Sequence, residues 1–220
     1  MPSQTKENYL KAIYFLSVKN KNVTITELAK KMQVSKPTCN HMVKKLEELS
    51  LVKYQKYKPL ILTVKGKKIA TSIIRKHRLT EMFLTQIMGF GWEEVHDIAE
   101  EIEHLNSNLF FDRMDEILGF PTVDPHGSPI PDKSGKIIKS KQVNFIEAPV
   151  GKQVKFCGFS KSSKELLLYL NKKKIQLGAV LSIVQIEKFD NSYEILINND
   201  KQSTTLSYDA CSCLLVTPLE

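Results

Sequence analysis

The chain has 220 residues, more than one domain of about 100–200 residues usually holds, and its 42% hydrophobic and 25% charged content excludes wholesale disorder. No run approaches the roughly 18 uncharged apolar residues of a membrane-spanning helix, and Met1 to Lys6 lead into no apolar signal-peptide core, so a soluble, cytoplasmic chain without membrane association is expected. The four cysteines, at 39, 157, 211 and 213, form no CxxC pair, which argues against a disulfide scaffold and against a structural zinc site.

Charge is unevenly distributed along the chain. Residues 1–75 carry a net charge of +12, residues 76–145 of −5 and residues 146–220 of +1. A basic segment of this size attracts polyanions, with a solvated basic face lacking any partner as the competing reading. Four of the five histidines, at 77, 96, 104 and 126, fall in the acidic middle segment, a composition suited to a divalent cation.

The first helix is expected over 7–18, with Tyr9, Leu10, Ile13, Tyr14, Phe15 and Leu16 at largely helical spacing. A second begins with Thr26 as N-cap and turns Leu28, Ala29 and Met32 inward; after Gln33-Val34-Ser35, a third runs from Lys36 to about Leu49. Pro37 sits in its first turn, where a missing N–H costs nothing, and Val43, Leu46 and Leu49 form its apolar stripe. Residues 51–63 follow as a hairpin with a Lys/Tyr-rich tip, completing a helix-turn-helix with a wing. The exposed face of the third helix offers Ser35, Lys36, Thr38, Asn40, His41 and Lys44 as donors to phosphates or base edges of double-stranded DNA.

A long helix is expected from Thr63 to about Met88, with His77 and Glu81 four apart on one face. A second, from about Trp92 to Met114, would carry His96, Glu100, Glu103 and His104 on one side, with Asp124-Pro125-His126-Gly127 in a turn beyond it. One such His/Glu pair is more often a surface pair than a site, but two sets on consecutive helices favour a cation site. HExxH, a Gly-rich phosphate loop, a GxSxG elbow and a Cys/His nucleophile pair are all missing, so an enzyme is not expected. Residues 129–136 look like a linker, and beyond them strand-like runs at 154–157, 179–184, 193–197 and 213–216, with one helix from Lys164 to about Asn171, suit a small β-barrel. Cys211 and Cys213 are expected to alternate with Ser212 along a strand as core-type residues, and Ser162 to Glu165 to form a capping box.

In order along the whole chain, Glu7-Asn8-Tyr9-Leu10, Val34-Ser35-Lys36-Pro37-Thr38, Leu62-Thr63-Val64-Lys65-Gly66, Arg75 to Glu81, Val95-His96-Asp97, Glu100 to His104 and Asp124-Pro125-His126-Gly127 carry a resemblance. The chain resembles the diphtheria toxin repressor family of metal-dependent transcriptional regulators, most closely its manganese-responsive branch. The resemblance implies a mainly α fold with a small β domain: a winged helix-turn-helix over 1–74, a helical dimerisation and metal-binding domain over 75–141 and an SH3-like domain over 142–220. It further implies a homodimeric repressor, activated by Mn²⁺ with Fe²⁺ as the alternative, that binds palindromic operators of metal-uptake genes through the recognition-helix residues, Pro37 included. A constitutive DNA-binding protein whose acidic helices only dimerise is the rival. By the same resemblance Glu100, Glu103 and His104, with Asn8, make a primary metal site, and His77, Glu81, His96, Asp124 and His126 supply a second. Iron-responsive members have Cys where Glu100 stands. Lys11 occupies a position where one two-metal member has a ligand Glu, so that binuclear arrangement is not expected. Glu165 lies near a third-domain ligand position, with capping as its competing role.

Overall fold

The computed structural model describes residues 3–20, 22–56, 58–138, 141–198 and 200–219; Tyr57, part of the expected wing tip, lies outside them. The chain forms two compact units, residues 1–80, 99–116 and 130–137 in one and residues 81–98, 117–129 and 138–220 in the other.

The first unit opens with α1 (Gln4–Lys19), α2 (Ile25–Lys31) and α3 (Lys36–Glu48), then the two-residue strands β1 (Val52–Lys53) and β2 (Ile61–Leu62), antiparallel to each other. The N-cap of α2 is Thr24, not Thr26. The Thr24 hydroxyl accepts from the Glu27 N–H while the Glu27 carboxylate accepts from the Thr24 N–H, a reciprocal arrangement that the spacing at Thr26 does not permit. Helix α3 turns Cys39, Val43 and Leu46 inward, whereas Leu49 is its C-cap and is exposed, because the stripe drifts off the buried face by the last turn. With Leu10, Ile13, Leu28, Leu51 and Leu60 these residues make one apolar core that fixes the α1–α3 arrangement.

Helix α4 (Val64–Gln86) follows directly. The expected single helix over 92–114 is two, α5 (Val95–Ile102) and α6 (Asn108–Ile117), with a turn at Glu103-His104 between them. Ser107 is the physical reason. Its hydroxyl accepts from the Phe110 N–H and starts a new helix, which leaves Glu103 and His104 in a turn rather than on a helical face. The presumed linker is also packed: Ile130 and Pro131 are buried, Arg75 donates to the Pro131 carbonyl at 2.8 Å and Gly135 lies against Thr71.

The second unit contains a six-stranded antiparallel sheet in the order β3-β8-β4-β5-β6-β7, from β3 (Val143–Asn144), β4 (Gln153–Phe159), β5 (Val180–Ile186), β6 (Tyr193–Ile197), β7 (Thr204–Leu206) and β8 (Leu214–Pro218). Alternate residues such as Val154 and Phe156, Leu181 and Ile183, and Tyr193 and Ile195 point into a core closed by Leu167 and Leu170 of α7 (Lys164–Lys172). This is the expected small SH3-like domain. Cys211 and Cys213 are not on a strand but in the short helix α8 (Tyr208–Cys213), whose N-cap Ser207 accepts from the Ala210 N–H. The N-cap of α7 is Ser163, accepting from the Leu166 N–H, rather than Ser162. Glu165 is in the first turn, where its own backbone N–H and then the Ser163 hydroxyl donate to its carboxylate and hold its pKa below the usual carboxylate value.

Candidate metal centres and nucleic-acid interface

The recognition helix α3 begins on Ser35, whose hydroxyl accepts from the Thr38 N–H at 3.2 Å. Lys36, Pro37, Thr38, His41 and Lys44 are exposed along α3, and Asn40 is half-buried. The wing is tied to this helix by one residue that the sequence reading passed over, Tyr54. Its N–H donates to Glu47 at 3.2 Å and its hydroxyl donates to Asn40 Oδ1 at 2.7 Å, so Tyr54 spans two turns of α3. A groove of about 800 Å³ lies between helix and wing, with Lys36, Asn40, Tyr54, Lys56 and Lys58 among its lining. Three lysines, Lys36, Lys56 and Lys58, line this groove, an arrangement suited to a phosphate backbone.

The first polar cluster, within the first unit, joins α1 to the turn after α5. Lys11 donates to Glu103 Oε1 at 2.6 Å, to Glu103 Oε2 at 2.9 Å and to Glu100 Oε1 at 3.2 Å. His77 Nδ1 is 2.7 Å from Glu103 Oε2, and His104 Nδ1 is 2.7 Å from Glu7 Oε2. The Glu103 side chain is 0% exposed and that of Glu100 is 51% exposed, so the cluster runs from the interior to solvent. Lys76, whose ammonium donates to the Leu105 carbonyl, is pulled below the usual lysine pKa by burial, against the charges of Glu7 and Glu103, which raise it. Among the described residues, Asn8 Oδ1 is a buried oxygen without a hydrogen-bond partner. A buried unpaired carbonyl oxygen costs about 1–3 kcal/mol and is what a cation ligand looks like before its ion arrives. Carboxylate oxygens, an amide oxygen and imidazoles are the donor types a divalent cation takes, but here Lys11 joins Glu100 to Glu103, and among the described residues no group of three ligand atoms within 4.8 Å includes Glu100, Glu103 or His104.

Glu7 was missed by the sequence reading, which placed only Asn8 from α1 in the site. The signal was present in the spacing, since Glu7 and Lys11 stand four apart on one helical face, and Asn8 and Lys11 three apart. His77, assigned from the sequence to the second site with Glu81 and His96, also reaches this first cluster, where its Nδ1 lies 2.7 Å from Glu103 Oε2.

The second cluster lies in the second unit. Glu81, Asp124 and His126 each offer a ligand atom, all within 4.8 Å of one another, and His96 Nδ1 stands 3.3 Å from Glu81 Oε1. The turn that presents Asp124 and His126 is built locally: Asp124 Oδ1 accepts from the His126 and Ser128 N–H groups, and the Gly127 N–H donates to the Asp124 carbonyl. Gly127 has φ +79°, and a Cβ there would stand 2.0 Å from the Cys157 carbonyl oxygen, so only glycine allows the turn to press against β4. Burial alone lowers the His126 pKa, but the hydrogen bond and charge of Glu81, the charge of Asp124 and the Trp92 carbonyl carry it above the ordinary value. Glu165 takes part in the first turn of α7 as described, and among the described residues no ligand-atom group includes it.

Comparison with known proteins gives these clusters their setting. Residues 1–60 match the domain family described as "Iron dependent repressor, N-terminal DNA binding domain", and residues 63–132 match "Iron dependent repressor, metal binding and dimerisation domain". The chain belongs to the diphtheria toxin repressor family of metal-dependent transcriptional repressors. Among its relatives, "Iron-dependent repressor IdeR" of Mycobacterium leprae is 33% identical over 157 residues, 68% of each chain. The "Diphtheria toxin repressor" of Corynebacterium jeikeium is 34% identical over 127 residues, covering 58% of this chain and 53% of that protein. The solved structure "Manganese-dependent transcriptional repressor complex with manganese" superposes with a TM-score of 0.84 at 30% identity, covering 97% of this chain and all of the other. The "manganese regulator SloR" gives 0.71 at 31%, covering 97% of this chain and 98% of its own.

Proposed function

We propose that this protein is a manganese-activated, homodimeric repressor of metal-uptake genes that binds palindromic duplex operators in the cytoplasm. Its winged helix would span 1–74, its dimerisation and metal-binding segment 75–141 and its SH3-like domain 142–220. One observation carries the reading: Glu7 and Lys11 of α1, a helix of the DNA-binding fold, meet His104, Glu103 and Glu100 from α5 and the turn after it. Ligands from both segments around one cation would restrict the orientation of α3 and bias the protein toward its operator-binding form.

In that reading Glu100, Glu103 and His104 hold the primary ion, Asn8 supplies its unpaired Oδ1, and Glu81, Asp124 and His126, with His96 beside them, hold a second. A bound divalent cation supplies the charge that neutralises the carboxylates. Glu103 is anchored by His77, and Glu7 fixes the His104 ring through Nδ1, which leaves Nε2 to face Glu103 at 3.5 Å. Ser35, Lys36, Pro37, Thr38, Asn40, His41 and Lys44 face the operator. Glu100, a hard oxygen donor, favours Mn²⁺; Fe²⁺ is the second reading, favoured by the likeness to iron-dependent repressors over the first 132 residues.

The deciding experiment is His104→Ala, with operator binding measured across free Mn²⁺. The variant stays folded by circular dichroism and dimeric by sedimentation, yet loses metal-stimulated DNA binding. A full Mn²⁺ response in that variant, or wild-type DNA binding unchanged by a chelator, refutes the proposal and leaves a constitutive DNA-binding protein.

A further inference from the structure

Resting on the reading of Glu81, Asp124 and His126 as cation ligands, we infer that Trp92 is the positioning residue of this second site. Its main-chain carbonyl selects Nδ1 of His126 as the donor atom, and its indole ties that donor to helix α7 of the β domain. His126 Nε2 lies 2.7 Å from the Trp92 carbonyl oxygen. A carbonyl can only accept, so Nε2 carries a proton, and whenever the ring is neutral its lone pair is on Nδ1. Nδ1 is the nitrogen that faces Glu81, at 3.7 Å from Oε2. The opposite nitrogen, which would otherwise compete as a ligand, is already engaged.

The ring plane is held as well as the tautomer. The imidazole stacks on the Trp92 indole with centroids 6.5 Å apart and planes 12° apart, and the His126 N–H donates to Asp124 at 2.8 Å. The indole is itself fixed at its far edge. Trp92 Nε1–H donates to Asn171 Oδ1 in the last turn of α7 at 2.8 Å, the Asn171 amide donates to Glu93 Oε2 at 3.0 Å, and Phe159 of β4 lies 5.6 Å from the indole. Trp92 is 9% exposed and belongs to the apolar core of the β domain. A residue buried in that core thus aims a metal donor, and by reciprocity the order of α7 and occupancy of the second site are linked. Asn171 touches no proposed ligand, so an effect of its substitution on metal affinity has to travel through the indole.

The test uses the full chain with Mn²⁺ and ¹¹³Cd²⁺ as probes. Trp92 is the single tryptophan. Mn²⁺ titration should quench its emission in wild type and in His104→Ala, and the quench should vanish in Asp124→Ala. Calorimetry on Asn171→Leu and Trp92→Phe, both lacking the indole–amide bond, should show second-site affinity about tenfold weaker, with unfolding cooperativity retained in circular dichroism melts. In ¹⁵N-histidine-labelled protein loaded with ¹¹³Cd²⁺, scalar coupling should appear at His126 Nδ1. Coupling at Nε2, or Asn171→Leu and Trp92→Phe both binding like wild type, overturns the positioning role while leaving the site intact. If Asp124→Ala and His126→Ala bind as many ions as wild type, it is the site reading that fails, and this inference fails with it.

Discussion

Replacing Lys11 by Met should tighten Mn²⁺ binding at the primary site. The Lys11 ammonium sits between the two carboxylates proposed as ligands, at 2.6 and 2.9 Å from the Glu103 oxygens and 3.2 Å from Glu100. An arriving ion must either displace this ammonium or bind beside it. Both routes cost free energy that Met does not impose, since Met is an unbranched side chain one atom shorter and carries no charge. For charges of +1 and +2 about 5.5 Å apart, Coulomb's law at an effective dielectric near 20 gives about 6 kcal/mol as a ceiling. The Lys11 side chain is 14% exposed and the ammonium can withdraw toward solvent, which discounts that figure severalfold. A residue of about 1.5–3 kcal/mol corresponds to roughly 10–100-fold in affinity. Competition against a chromophoric chelator, without DNA, measures it. The same variant should be less stable without metal, because the buried Glu103 loses its ammonium partner and is left with the imidazoles of His77 and His104, and it should gain more in melting temperature on adding Mn²⁺. Equal or weaker Mn²⁺ affinity in Lys11→Met would mean that Glu100 and Glu103 do not hold the ion.

Four further substitutions probe other links. Lys36→Ala or Lys44→Ala should weaken DNA binding and, for a lost phosphate contact, reduce the salt slope by about one unit, with metal affinity measured calorimetrically unchanged; an equal fall in metal affinity would contradict the separation of the two functions. Tyr54→Phe, which removes the hydroxyl that holds Asn40, should weaken binding to a duplex selected from a random pool about 3–10-fold, as the loss of one hydrogen bond of about 1 kcal/mol implies, while non-specific binding stays within twofold. Gly127→Ala, which places a Cβ 2.0 Å from the Cys157 carbonyl at a positive φ, should lower the melting temperature and abolish binding at the second site, whereas stoichiometric binding at both sites would show that the turn can shift freely. In thiol titration of the native protein, Cys211, whose pKa burial pushes up to about 12, should react only on unfolding; rapid labelling at neutral pH would contradict its burial.

The elements that carry strong local periodicity were legible in the sequence. Helix α1, the Pro37-initiated recognition helix, the long α4 and the strands around 154–157, 179–184 and 193–197 each declare themselves through a buried stripe or an alternation. Errors fell where a short polar side chain overrode the pattern. Ser107 divides the helix expected over 92–114, Thr24 takes the cap expected at Thr26, and Ser207 turns the Cys211–Cys213 segment into a helix. Each of these bonds replaces one backbone donor's partner, an energy of about 1 kcal/mol that a hydrophobic stripe does not register.

For the sites, the sequence supplied the residue types but not the pairings. His77, Glu103 and Glu7 are separated by tens of residues, and their contacts exist only because α1, α4 and the turn after α5 share one unit. The division at Ser107 matters chemically here. On a continuous helix Glu100, Glu103 and His104 would point outward from one surface at fixed angles. In the observed turn, Glu103 is instead carried into the interior, where Lys11 and His77 meet it, while Glu100 stays on helix α5 at the solvent edge. A helical break thus converts a row of surface groups into a cluster with a buried end and an open end. In the proposed reading the open end would give an ion a route of entry, and the buried carboxylate of Glu103 would hold it. Lys11 stands between Glu100 and Glu103, so the ammonium that stabilises these carboxylates would, in the proposed reading, also set how much metal is needed to replace it.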